Sequence, residues 1–490
     1  MRVTPVLAAL LLALPVANLQ AAVTPTPDTP ETLVVKNYGD EGEGTLRWAI
    51  ERNNQNPGHY RIEIRAVGGA PYVIKPNKEL PAIMGPVTIE GSAWKRSGDF
   101  IAIDGSNYVK GNCPGAVQGE SGVNVRTLAN PGLTLRDTQG VDISGVEVRN
   151  FCIGILVNRA SNNVIHDSRI IGNKGGAGIM LTGDDGQGNS TPTSTVNNKV
   201  LRNELINNGD GLELTRGAAF NLIANNLFRA DKANEQASQG IEILWGNDNT
   251  LTRNRFENYS DGVQINWGNR NYLSDNLFTG NSIGVSVTGA DNVLDGNVVH
   301  GNRIGIALRP EPTSNNTRLT ANRIWDNAQE IRRCQSGGSC LPAQRLGAIV
   351  FGVPAAEHAI YVGARGTGVD PATSGRAIIC SAKGPAIAGC QPMPNQNLQP
   401  PHLRAIAAGR LHGEVKGQPQ SRYRVEVFGN PKGMASEAEN FLGQVYVSTN
   451  TKGTANFSFP LDVKETSRSF TVTATSPDGA TSELSKALTR

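Results

Sequence analysis

Acidic side chains recur at fixed places in the middle of the chain, and their spacing makes them the first candidates for chemistry. Glu213 and Glu242 each stand two residues after a glycine that opens an alternating segment, Gly211-Leu-Glu-Leu and Gly240-Ile-Glu-Ile. Asp210 and Asp261 each precede such a glycine, and Gln264 occupies the glutamates' place in Gly262-Val-Gln-Ile. Neighbouring carboxylates repel, so one keeps its proton and the pair divides into an acid and a base. Carboxyl groups ~5–5.5 Å apart suit a retaining glycosidase, and ~6.5–9.5 Å an inverting one. A lyase would use one carboxylate to remove a proton beside a uronate, with Arg or a cation neutralising the charge. Trp245 and Trp267 follow the two strands at equal offset, and Asn266, Arg216 and Arg309 are close by. That inventory suits a cleft for a polysaccharide. Asp184-Asp185 offers a place for Ca²⁺, and no other cofactor or metal is expected. Neither Gly-His-Gly nor Asp-Pro-His-Asp occurs. The alternative is therefore a non-catalytic surface or matrix protein, because a fold does not fix a function.

The elements that must position these residues are set by a repeat. Gly154, Gly178, Gly211, Gly240, Gly262, Gly284 and Gly305 each open an alternating apolar segment, at intervals of 24, 33, 29, 22, 22 and 21 residues. Between them lie Asn203, Asn226, Asn254, Asn276, Asn297 and Asn322. Two short strands per unit cannot bury a face alone, but stacked units share one core. The pattern predicts an all-β chain folded as a right-handed parallel β-helix, with the asparagines as an inward structural ladder. Coils stack ~4.8 Å apart. The column Leu156, Met180, Glu213, Glu242, Gln264, Ser286 and Ala307 then points out of the solenoid, with Glu213 beside Glu242 and Asp210 two coils from Asp261. Insertions at 183–196, 229–239 and 309–316 become loops on one face, beside the acidic cluster.

Both ends carry further signals. Thr45-Leu46-Arg47, Ala49-Ile50 and Asn53/Asn54 to Pro57-Gly58 resemble the "SLREAI…AN…PG" motif of bacterial exported β-helix proteins of the pectate-lyase-like superfamily. Trp48 stands where that motif has Glu or Gln, and the Cys-Ser start is missing. The resemblance implies a short helix covering the first coil, where an open solenoid end would expose a strand edge. After Pro-rich Gln391–His402, the segments Tyr423-Arg-Val-Glu-Val-Phe, Gly443-Gln-Val-Tyr-Val and Phe470-Thr-Val-Thr-Ala-Thr alternate at period 2. They predict an antiparallel β-sandwich, which is similar to the Ig-like tail of the same family. The expected division is 1–22 leader, 32–98 cap and first coils, 99–390 solenoid, 391–402 linker and 403–490 sandwich.

Composition agrees with this plan and excludes others. The chain has 490 residues, 56 of them Gly, with 18% charged and 5% aromatic residues. That excludes a coiled coil, and a net charge of +3 leaves no basic field for nucleic acid. The expected partner is a polysaccharide, and the chain is expected to be a monomer. Residues 1–22 read as a secretory leader, too short to span a bilayer, and no later run reaches ~18 apolar residues. Secretion, or a place in the periplasm or on the outer surface of a bacterium, follows. An exported chain with six cysteines invites disulfides. Cys334 with Cys340 and Cys380 with Cys390 would close short loops, leaving Cys113 with Cys152.

Overall fold

The computed structural model describes residues 30–111, 113, 128–173, 175–186, 191, 194–231, 239–302, 304–309, 313–327, 330–331, 344–345, 348–351, 393–433 and 437–490. Among these, the solenoid comprises three parallel sheets of eleven, ten and nine strands. A coil visits each sheet in turn, as in Thr250–Thr252, Arg255–Glu257 and Asp261–Asn266. The fold class is the expected right-handed parallel β-helix, with one strand per coil more than the repeat alone suggested.

Register is strict, and it places like above like. Phe228, Phe256 and Phe278 stack inside the coil with ring centroids 4.8 Å apart, the spacing of neighbouring strands. This ladder explains the repeated glycine. A Cβ on Gly240 would come within 2.4 Å of the Gly262 carbonyl oxygen and 2.7 Å of the Phe256 ring, so only hydrogen fits there.

The asparagines form three ladders instead of one. Asn198, Asn221, Asn249, Asn271 and Asn292 bond in succession, and five residues later so do Asn203, Asn226, Asn254, Asn276 and Asn297. Asn281, Asn302 and Asn327 belong to a third. Each amide serves two coils. Asn254 Nδ2 donates to Asn276 Oδ1 (3.1 Å) and to the Ile223 carbonyl (2.8 Å), while its backbone N–H donates to Asn276 Oδ1 (2.9 Å). The preceding corner residue has positive φ, as in Arg253 (54°), which turns the chain so that the amide points inward.

The helix Leu46–Gln55 covers the first coil, as expected. Thr45 caps it by accepting from the Trp48 N–H, and Leu46, Ala49 and Ile50 join the solenoid core. Arg47 is buried and ties the helix down, donating to Asp40 (2.8 Å) and to the carbonyls of Lys78 (2.9 Å) and Glu79 (2.7 Å). Cys113 and Cys152 form a disulfide; Cys334, Cys340, Cys380 and Cys390 lie outside the described residues, as does the leader. Among the described residues no helix is long and apolar enough to cross a membrane.

At the other end, the sandwich is a second cap instead of a tethered module. Its sheets of three and four antiparallel strands enclose a core of their own, with Leu411, Val425, Phe457 and Val472. Yet Phe428, Ala438 and Leu484 belong to the solenoid core, and Ile324 exchanges backbone hydrogen bonds with Ala438 (2.7 and 2.8 Å). The segment expected to be a linker is built in: buried Asn395 bonds the backbone of both Thr317 in the last coil and Thr481 in the sandwich. Glu426, also buried, accepts from the Ala321 N–H (3.1 Å).

Two outcomes follow for stability. Asn254→Ala strands a backbone carbonyl and a neighbouring amide in a dry interior, and should cost about 2–4 kcal/mol in chemical denaturation; a loss below ~0.5 kcal/mol would contradict the ladder's role. Burial pushes the Glu426 carboxyl up to about 7, against the opposing pull of Arg424 and the Ala321 N–H. Its contribution is then complete below the ordinary carboxylate pKa and is lost as pH rises through about 7. Glu426→Gln should match wild type near pH 5 and melt higher near pH 8, whereas equal melting at both pH values would contradict this.

Candidate active site

The third sheet carries the candidate residues on its outer face. In Asp210–Thr215 and Gln239–Leu244 the side chains of Leu212, Leu214, Ile241 and Ile243 enter the core. Glu213 and Glu242 lie between them and are register partners, as the spacing predicted. Gln239 pairs with Asp261, and Glu242 with Gln264. Asp210 and Asp261 thus sit two coils apart with Gln239 between them, and the Gln239 N–H donates to Asp210 Oδ1 (3.0 Å).

Side chains tie this face together. Gln264 Oε1 accepts from Gln239 Nε2 (3.1 Å) and from Asn266 Nδ2 (2.8 Å), and Asn266 Nδ2 also reaches Glu242 Oε1 (2.9 Å). Ser286 Oγ donates to Asp261. Arg309 donates to Asn266 Oδ1 and to the Ile265 carbonyl (3.1 Å). Gln239 and Ser286 were not among the expected site residues, although a step of one coil from Asp210 and Gln264 points to both.

The face is buried. Asp210, Glu213, Glu242, Asp261, Gln264 and Arg309 are between 0 and 4% exposed. Carboxylates are costly to remove from water unless paired and hydrogen-bonded, so four on one buried face need a strong reason to persist. The polar stretch is also short. It is bounded by Leu156 and Met180, which pack with Ile153 and Ala177, and by Ala307. From Glu213 to Ser286 it spans three coil steps, roughly 14 Å.

Trp245, Trp267 and Arg216 sit at the turn that follows these strands, at the rim. The two indoles stack at 5.4 Å and 16° and remain 39% and 38% exposed. Arg216 lies 6.0 Å over the Trp245 ring and pairs with Asp184 at 3.4 Å. Asp184 Oδ1 caps its own turn by accepting from the Gly186 N–H (2.7 Å). Among the described residues, no group of three His, Cys, Asp or Glu side chains could hold a metal ion.

Comparison with known proteins adds to this geometry. Residues 229–341 match the family described as "Periplasmic copper-binding protein (NosD)". Among solved structures, the periplasmic alginate epimerase AlgG is 12% identical, with a TM-score of 0.31 over 54% of this chain and 76% of that one. Pectate lyase Pel9A is 12% identical, with a TM-score of 0.32 over 60% and 70%. A curated relative from Acinetobacter baylyi, named 3-dehydroshikimate dehydratase, is 56% identical over 467 residues, covering 94% of this chain and 95% of its own length. By that identity and coverage, the chain belongs to the family of the Acinetobacter baylyi 3-dehydroshikimate dehydratase.

Proposed function

We propose that this chain is a lyase that removes water from 3-dehydroshikimate, with the buried carboxylates of the third sheet as its acid and base. The relative that is 56% identical over nearly the whole chain carries this reading, and a compact buried face fits a small ring better than a polymer. The chemistry asks for what the face holds. A base takes the C4 proton, which is acidic because it lies next to the C3 ketone. The C5–O bond breaks, and the hydroxyl leaves as water with a proton from an acid. A second proton then leaves C6 while the C3 oxygen gains one, and the ring becomes 3,4-dihydroxybenzoate. One water is lost and nothing is oxidised or reduced.

Glu213 and Glu242 are stacked one coil apart, where one serves as carboxylate base and the other as carboxylic acid. Asn266 holds Glu242, and Gln264, its Oε1 fixed by Gln239 and Asn266, has its amide N–H oriented to donate. Asp210 and Asp261 flank the pair, and Arg309 supplies positive charge beside the substrate carboxylate. We place the reaction outside the cytoplasm, on the strength of the leader-like N-terminus. A second reading, recognition or cleavage of a polysaccharide, is favoured by one observation: the exposed Trp245–Trp267 stack.

The test is incubation of the full chain with 3-dehydroshikimate, following ultraviolet absorbance of the aromatic acid and loss of one water by mass spectrometry. Turnover is expected, and Glu213→Gln and Glu242→Gln should each lower kcat by about 10²–10⁴-fold. No aromatic product from the wild-type chain would overturn the proposal. Product from a parallel panel of acidic and neutral glycans would support the second reading.

A further inference from the structure

The turn that carries the two tryptophans is one column of a ladder, and the ladder has a gap. The same place in successive coils is taken by Arg159, Gly183, Arg216, Trp245, Trp267 and Gly289. Their backbone N–H groups bond across to the next coil in the same way: Arg159 to the Thr182 carbonyl (3.0 Å), Arg216 to that of Leu244 (3.1 Å) and Trp245 to that of Asn266 (2.9 Å). The Trp267 N–H donates to Thr288 Oγ1 (2.9 Å). The pairing of Ile265 with Val287, carried two residues on, puts Gly289 beside Trp267. Side chains in this column therefore stack at one-coil spacing, guanidinium on indole and indole on indole.

Two rungs lack a side chain, and they differ. At Gly183 the chain fills the gap itself: the Asp184 carbonyl accepts from Arg159 (3.0 Å) and its carboxylate pairs with Arg216. At Gly289 no described residue does so. The φ there is +100°, and a Cβ would fall 2.1 Å from the Gly268 carbonyl oxygen, so no residue but glycine fits. Trp245 has Arg216 on one face and Trp267 on the other. Among the described residues, no ring or cation lies on the far face of Trp267.

We propose that this missing rung is a stacking subsite for a flat, carboxylate-bearing six-membered ring, which rests on the open face of Trp267. The ligand class rests on the dehydration reading, in which a puckered ring enters and a planar aromatic acid leaves. An indole face stacks on a flat π-system better than on a saturated ring. Trp267 directly follows Asn266, which is bonded to Glu242, so its face stands one residue from a direct contact of the acid pair. The subsite selects product over substrate and retards product release.

Calorimetric titration of the full chain with 3,4-dihydroxybenzoate and with cyclohexanecarboxylate, two acids of equal charge and different planarity, tests this. The aromatic acid should bind at least tenfold more tightly. Trp267→Ala should abolish that preference while keeping the wild-type melting temperature, and Trp267→Phe should retain it. Equal binding of the two acids, or an unchanged preference in Trp267→Ala, would overturn the subsite. Dehydration without the preference sinks the subsite alone, whereas the preference without dehydration sinks the reaction and leaves the subsite standing.

Discussion

Each described coil of the solenoid lies over the next in register at one strand spacing, so a residue type chosen at one position meets its own counterpart above and below. Where the counterpart is Asn or Phe, repetition stabilises: amides bond amides and rings stack on rings. The coil-opening glycines follow from the same constraint, since the phenylalanine ladder and the next carbonyl leave no room for a Cβ. Where the counterpart is Glu, repetition opposes stability. Stacking Glu213 on Glu242 places two carboxyl groups together on a buried face, where like charges repel unless one keeps its proton. The proposed acid–base reaction would use such a pair.

The ends of the stack follow from the middle. A parallel solenoid leaves an unpaired edge and an open core at each end. The first end is closed by the helix Leu46–Gln55 with its buried arginine, and the last by the sandwich with Glu426, Ala438 and Asn395. The sandwich has a core of its own and also completes another. That shared packing is why the Pro-rich segment before it is held so closely.

Periodicity made the solenoid legible, and it made the Glu213–Glu242 and Trp245–Trp267 neighbours legible too, since both are one coil apart. Two of the three asparagine ladders escaped notice because the five-residue step that relates them is not kept throughout: Tyr259, whose backbone N–H donates to Asn281 Oδ1, stands where the third would have Asn. The burial of the acidic face was not legible. Alternation tells which side chains leave the core, but not whether they then meet water. The double role of the sandwich was hidden for a similar reason: period-2 strands reveal a sheet, and what the sheet docks against depends on contacts far away in the chain.

The central claim is that register brings Glu213 and Glu242 together as the acid and base of one small-ring site. The most direct measurement is a crystal structure of the Glu242→Gln chain soaked with 3-dehydroshikimate. The account predicts the ring on the outer face of the third sheet, between Glu213 and Asn266, with its C4–H and C5 hydroxyl within reach of positions 213 and 242. A ring bound on another face, or a site left empty at saturating substrate, would contradict it.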